Sequence, residues 1–365
     1  MNEVAAKAPP FQKAESSPSL PGEACPLPIA QREQIVLGHG SGGKLSAQLI
    51  EQVFVPAFSN ALLDKLDDQA VLQIHGVRLA FTTDAFVVTP LFFPGGDIGT
   101  LAVNGTINDL AMSGARPLYL SAAFILEEGL EMADLVRVVG SMSEAARNAS
   151  VQLVAGDTKV VNRGKADKVF ITTTGLGVIE QPVNISADRA RPGDRIILSG
   201  YIGDHGMAIL SQRENLEFEG RIESDSAPLH GLVQAMLDVT TDIHCLRDPT
   251  RGGVATVLNE IAARSQVSMC LCETEIPVRD TVRGACEILG LDPLYVANEG
   301  KLIAIAPAGV ADAIIDRMHQ HPFGRDARVI GEVVAEHPGM VFMKTEIGGT
   351  RIVDTLFGEQ LPRIC

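Results

Sequence analysis

Residues 77–126 read VRLAFTTDAFVVTPLFFPGGDIGTLAVNGTINDLAMSGARPLYLSAAFIL. The segment opens on VRLAFTT (77–83), a short apolar run with strand character, and closes on another, LYLSAAFIL (118–126). Between them IGTLAVNGTINDLAMSG (98–114) places apolar residues three and four apart and is rich in Ala and Met, which predicts a helix. Strand, helix and strand in this order call for a mixed α/β layer. Two acids, Asp84 and Asp109, sit beside or at the ends of these otherwise apolar elements.

Outward from this segment the texture repeats. VLQI (71–74), VQLVA (151–155) and VFITTTGLGVI (169–179) read as further strands, and LEMADLVRVVGSMSEAARNA (130–149) as a second helix. Residues 181–193, with Pro182, Pro192 and Gly193, mark a boundary. Beyond it strands are expected near 195–200, 267–272, 301–306 and 328–334, and helices near 204–212, 227–240, 253–264 and 308–319. The expected organisation is a mobile N-terminal extension (1–33), an α/β domain (34–180), a second α/β domain (190–345) and a mobile tail (346–365).

The 365 residues are 46% apolar and 21% charged, enough for two cores of ordinary size. Thirty Lys and Arg against 45 Asp and Glu give a formal charge of −15, which disfavours a nucleic-acid partner. Aromatics are 4% of the chain and Trp is absent, so stacking platforms for single strands are scarce. No apolar run reaches the roughly 18 residues of a membrane span, and the N-terminus lacks a signal-peptide centre, so a cytoplasmic location is expected. Six cysteines, at 25, 245, 270, 272, 286 and 365, are too few and too irregular for a disulfide framework.

The string Gly38-His39-Gly40-Ser41-Gly42-Gly43-Lys44 matches half of a P-loop, but Leu45 stands where a Mg²⁺-binding hydroxyl would be needed. Either the loop cradles phosphate through its N–H groups with charge from Lys44, or it is only flexible. Asp68, Asp84, Asp109 and Asp157 end or flank apolar elements, where carboxylates are costly without a cation. Together they suggest Mg²⁺ held with a triphosphate. His205, in GDHG, is a lone histidine for which a structural role is the expectation. Cys270 and Cys272 would share one face of a strand, as core filling or as a metal pair. Cys365 is the final residue, on a tail with no core to fill, and this points to a functional thiol.

The ordered series LDDQAVL, TTDAFVVTPLFFPGGDIG, VNGTINDLAMSGARP, AGDTKVV, SGYIGDHGMAIL, RDPTRGGV, VANEGKL and a terminal PRIC resembles, over residues 34 to 365, the HypE family of hydrogenase maturation proteins, carbamoyl dehydratases. Their superfamily includes aminoimidazole ribonucleotide synthetase, selenophosphate synthetase and thiamine-monophosphate kinase. The resemblance implies two α/β domains and a homodimer whose N-terminal sheets pair into a β-barrel, with ATP and Mg²⁺ in a cleft. It carries nucleotide and metal roles onto Lys44, Asp68, Asp84, Asn108, Asp109, Asp157, Thr158 and Asp248. Thr250, Arg251, Asn298 and Gly300 complete the family's signatures. Catalytic roles fall on Cys365, Glu299, Lys159 and Arg363. The implied reaction turns a carbamoyl group on the Cys365 sulfur into a thiocyanate. A HypF-like carbamoyltransferase would load the group, and an iron-carrying HypC–HypD-like complex would take the cyanide. Another synthetase or kinase activity of the superfamily, or a metal scaffold on Cys270, Cys272 and Cys365, are the rival readings. The N-terminal extension with Cys25 has no counterpart in the family core.

Overall fold

The computed structural model describes residues 34–216, 218, 220–358 and 364–365. The expected mobile extension with Cys25, and Arg363, lie outside the described residues. Residues 36–365 form one compact unit. It begins with α1 (Lys44–Leu49), which continues through a wider turn, Ile50–Phe54, into α2 (Val55–Phe58).

The first sheet has the order β1-β2-β7-β5-β6, from β1 (Ala70–Ile74), β2 (Val77–Phe86), β5 (Arg116–Glu127), β6 (Gln152–Val161) and β7 (Val169–Val178). The short pair β3 (Phe92–Phe93) and β4 (Gly96–Asp97) leads into α3 (Ile98–Ala111). Asp97 starts that helix by accepting from the N–H groups of Gly99 (2.8 Å) and Thr100 (2.9 Å), the usual work of an N-cap acid. All of α3 is buried except Thr100 and Asp109, because its small residues let it lie flat on the sheet. Gly105 is required there: a Cβ would come within 2.9 Å of the Phe86 ring. The second helix, α4 (Met132–Asn148), is the crossover that makes β5 and β6 parallel neighbours.

Alternation along β2 turns Ala80, Thr82 and Phe86 towards α3. The opposite face of the sheet stays open, with Phe81 and Tyr119 each 43% and Ile125 40% exposed.

The second sheet has the order β14-β13-β10-β12-β8-β11-β9. Its strands are β8 (Asp194–Leu198), β9 (Cys245–Arg247), β10 (Ser268–Cys272), β11 (Ile303–Pro307), β12 (Arg328–Val334), β13 (Val341–Lys344) and β14 (Thr350–Ile352). Its helices are α5 (Asp204–Glu214), α6 (His230–Leu237), α7 (Gly253–Ser265), α8 (Asp280–Leu289) and α9 (Ala308–His319). Ile196 and Ile305 pack with α7 on one face, while Ile197 and Ala304 pack with α6 and α9 on the other. The second cluster also takes in Leu110, Ala111 and Met112, so the C-terminal end of α3 is planted against the second sheet.

The tail starts later than expected. Residues 350–352 are β14 and Val353 is fully buried in the second core, because β14 completes the sheet edge beside β13.

Candidate active site

Five acids meet where the end of α3 faces the loops of the second sheet: Asp68 ahead of β1, Asp84 on β2, Asp109 in the last turn of α3, Asp248 after β9 and Glu299 ahead of β11. Asp109 accepts from the Thr82 hydroxyl at 2.9 Å. Asp68 pairs with Arg247 at 2.9 Å, and Arg247 also pairs with Glu260 at 2.9 Å. Burial raises the affinity of all five carboxyls for protons, and repulsion from neighbouring acids adds to it at Asp68, Asp109, Asp248 and Glu299, with Asp84 and Asp248 acting on both Asp109 and Glu299. Asp248 is pushed up to about 6. Cations offset this in part: Arg247 acts on Asp68 and Asp248, and Arg251 on Asp84 and Glu299.

Arg251 joins the cluster to the chain terminus. Its guanidinium is held protonated first by Cys365, then by Asp84, Glu299 and Asp109, and it donates to the Gly40 carbonyl at 3.0 Å. The glycine loop lies directly against it: at Gly42, with φ +76°, a Cβ would stand 2.7 Å from the Arg251 carbonyl oxygen. Lys44 is paired with Asp354 at 2.6 Å, and its N–H donates to the Leu356 carbonyl at 2.8 Å, so the start of the tail crosses this loop.

The far end of the tail is docked. The Val87 N–H donates to the Cys365 main-chain oxygen at 2.8 Å, Val88 bridges Ile364, and Ile364 is buried among the core residues around Phe86. A cavity of about 460 Å³ is lined by Cys365, Arg251, Ala85, Ser41 and Gly43. Cys365 thus borders a hollow shared with the glycine loop and Arg251.

Asn108 and Asn298 hold the walls. The Asn108 amide donates to the carbonyls of Ala227 and Glu299, both at 3.1 Å, and its oxygen accepts from the Leu229 N–H at 2.8 Å. Asn298 donates to the Pro249 carbonyl at 2.9 Å and accepts from the Gly203 N–H at 2.8 Å. The Asn108 side chain is therefore taken up by the protein.

Asp157, Thr158 and Lys159 are not brought to the cluster within one chain. Asp84 registers with Thr173, Thr173 with Ala122, and Ala122 with Gly156, all on the α3 side. Asp157 is one residue on, hence on the open face, and three strand spacings from Asp84, about 14 Å. It is 67% exposed and pairs with Lys159, 71% exposed, at 3.2 Å. The expectation of a buried carboxylate at 157 is corrected, since β6 is an edge strand that, among the described residues, is exposed along nearly all its length.

The donor set fits a hard cation. Every candidate ligand is oxygen, and the buried Asp68 Oδ2 and Glu299 Oε1 lack hydrogen-bond partners. Among the described residues no three His, Cys, Asp or Glu are grouped to hold a metal unaided. The cluster therefore suits Mg²⁺ that takes one or two carboxylates and completes its shell with phosphate oxygens. The arrangement can stabilise a transferring phosphoryl group and take up protons beside a thiol. Sequence reasoning gave Asp225 and Ser224 no role: Asp225 accepts from the Glu299 N–H at 3.0 Å and pairs with Lys301 at 3.1 Å. Only their spatial neighbours show what they do.

Two segments match the AIR synthase related proteins, residues 66–179 the N-terminal domain and residues 191–344 the C-terminal domain. Carbamoyl dehydratase HypE of Azotobacter vinelandii is 61% identical over 327 residues, covering 90% of this chain and 96% of that protein. A crystal structure of a HypE–HypF complex superposes with TM-score 0.81 at 49% identity, over 84% of this chain and 99% of that one. A HypE structure in complex with ATP superposes with TM-score 0.77 at 54% identity, over 90% and 98%. With this identity over nearly the whole length, and the terminal cysteine beside an acidic cluster, the chain belongs to the HypE family of carbamoyl dehydratases.

Proposed function

We propose that the chain dehydrates a carbamoyl group carried on the Cys365 sulfur to a thiocyanate, using ATP. The observation that carries this reading is that Cys365, Arg251 and the glycine loop line one cavity, with Arg251 also facing Asp84, Asp109 and Glu299. A HypE relative is solved with ATP, which supports nucleotide binding, and the acid cluster is the place we assign to it. Mg²⁺ bound through Asp68, Asp84 or Asp109 would neutralise the phosphate oxygens.

The amide oxygen of the thiocarbamate attacks the γ-phosphorus of ATP. A C–O–P bond forms, the bond to the β-bridging oxygen breaks, ADP leaves and one N–H proton is given up. The C–O bond then breaks with phosphate as leaving group, the second N–H proton departs and the nitrogen completes R–S–C≡N. The protein's part is to bring the sulfur to the cluster, to spread the phosphate charge over Arg251, and to accept protons at Glu299, whose raised proton affinity suits a base. Thr250 and Asp248, at the N-terminal side of α7, flank Arg251. Lys44 and Thr158 are assigned to the nucleotide, and Arg363 to the terminus.

The open sheet face supports a homodimer, in which apolar side chains such as Phe81 and Ile125 are covered and the β6 edge is protected. Asp157 and Lys159 reach a nucleotide only through such pairing, so their roles stand or fall with the dimer. The division into domains 34–180 and 190–345, with a tail, belongs to the same reading and is supported by the two family segments. A HypF-like partner loads Cys365, in line with the solved HypE–HypF complex. A HypC–HypD-like iron complex takes the cyanide, in the cytoplasm. No described helix is long and apolar enough to cross a membrane.

The test is peptide mass spectrometry after carbamoyl loading and then ATP. A carbamoyl adduct on Cys365 that loses one water only with ATP supports the proposal. An adduct on another cysteine, or water lost without ATP, overturns it.

A further inference from the structure

One buried polar side chain touches the terminus and enters no step above. His205, in the first turn of α5, is wholly buried, with Nε2 2.6 Å from the Ile364 carbonyl oxygen and Nδ1 2.8 Å from the Ser224 hydroxyl. A carbonyl oxygen only accepts, so Nε2 carries the proton and Nδ1 accepts from Ser224. Ser224 is itself fixed: its N–H donates to the Pro94 carbonyl at 2.8 Å, and its hydroxyl oxygen accepts from the Ser226 N–H at 3.1 Å. Phe93 stands edge-on to the imidazole, with ring centres 5.7 Å apart. Burial lowers the proton affinity of His205, in keeping with a neutral ring of one tautomer.

The other contacts of the terminus do less to fix its register. Burying Ile364 is favourable but non-directional. The Val87 N–H holds the Cys365 main-chain oxygen beside the Val88–Ile364 bridge, and the attraction to Arg251 is long-range and weakly directional. The Ile364 carbonyl, directly before Cys365, would be buried without a donor if His205 were absent.

We infer that His205, oriented by Ser224, is the latch that captures the peptide before Cys365 and sets where its sulfur stands. It is a positioning residue: it touches neither phosphate nor the carried group. The inference rests on the reading of Cys365 as carrier, and its consequence is that loading, performed by another protein, does not need the latch, whereas dehydration does.

The full-length chain is compared as wild type, His205→Leu, His205→Gln and Ser224→Ala. Glutamine keeps an N–H near the place of Nε2, whereas leucine keeps only bulk. Alkylation of Cys365 by iodoacetamide is timed by peptide mass, and so is the ATP-dependent loss of water from the carbamoylated terminus. Losing one buried hydrogen bond should shift docking about ten- to a hundredfold. His205→Leu is expected to alkylate faster and dehydrate more slowly by factors of that order, with loading unchanged. His205→Gln should recover most of both rates, and Ser224→Ala should deviate in the same direction as leucine. A folded His205→Leu with wild-type alkylation and dehydration overturns the inference, as does a glutamine variant as impaired as the leucine one. Should His205→Leu fail to fold, wild-type alkylation of Ser224→Ala overturns it equally. If the wild type never takes a carbamoyl group, the carrier reading fails, while the alkylation series still decides the latch.

Discussion

Asp248→Asn should make the ligand-free protein more stable and abolish its ATP-dependent chemistry. The side chain is only 7% exposed, and burial is the main cause of its rise from the ordinary 3.8 to about 6, with Arg247 opposing and Asp84 adding repulsion. At roughly 1.4 kcal/mol per tenfold in proton affinity, the ionised carboxylate costs the folded chain about 3 kcal/mol at neutral pH. Because the folded value is the higher one, this carboxyl's stabilising contribution is complete below about pH 4 and is lost as pH rises through about 6. Asparagine keeps the shape without the charge. The variant should therefore melt higher than wild type by roughly 2–6 °C at pH 7.5, at about 2 °C per kcal/mol for a chain of this size, and at the same temperature as wild type at pH 4. Thermal melts at fixed protein concentration across that range, without nucleotide, measure the difference. A variant that melts lower than wild type at pH 7.5, or a gap that does not close on acidification, would refute the view that these acids are strained until a cation arrives.

Asp84→Asn should lower ATP turnover by at least about a hundredfold while the protein keeps its secondary structure by circular dichroism, since the charge serves phosphate and not packing. Cys365→Ala should bind nucleotide normally yet form no thiocyanate, whereas Cys270→Ala, a buried position on β10, should cost on the order of 1 kcal/mol in denaturant titration and keep the activity. Light scattering at micromolar concentration should give a dimer, and Ile125→Asp on the open sheet face should give a folded monomer.

The alternation and spacing of apolar residues made the main strands and the two helices of the first sheet legible, as well as β8, β10 to β12 and α9, because burial of one face writes a period into the sequence. The sequence reading missed α8, although Val282, Ala285 and Cys286, its buried residues, fall three and four apart. What misled was composition without partners. Gly156-Asp157-Thr158 looks like a strand end but lies within β6, because parallel pairing to β5 outweighs weak local propensity. For the site, acids in apolar surroundings pointed to Asp68, Asp84 and Asp109, which the fold brings near one another, while the same signal at Asp157 fell on an exposed edge. Ser224 and Asp225 carry no signal at all, because their roles depend on a loop meeting α5 and the Asn298–Gly300 turn, which no local period records.

The acid cluster and the terminus are two halves of one electrostatic problem. Five carboxylates around two arginines leave a negative excess, and a terminal residue with its own carboxylate adds to it when it docks beside Arg251. Docking is therefore opposed by the acids, favoured by Arg251, and fixed by short-range contacts: the Ile364 side chain, the Val87 N–H and the His205 imidazole. Each such hydrogen bond contributes about 1 kcal/mol net, and one buried isoleucine about 2 to 3. Contacts of this size hold a chain end without locking it. A divalent cation taken up by these acids would offset part of the opposing charge, so cation binding and thiol docking should favour one another by reciprocal linkage.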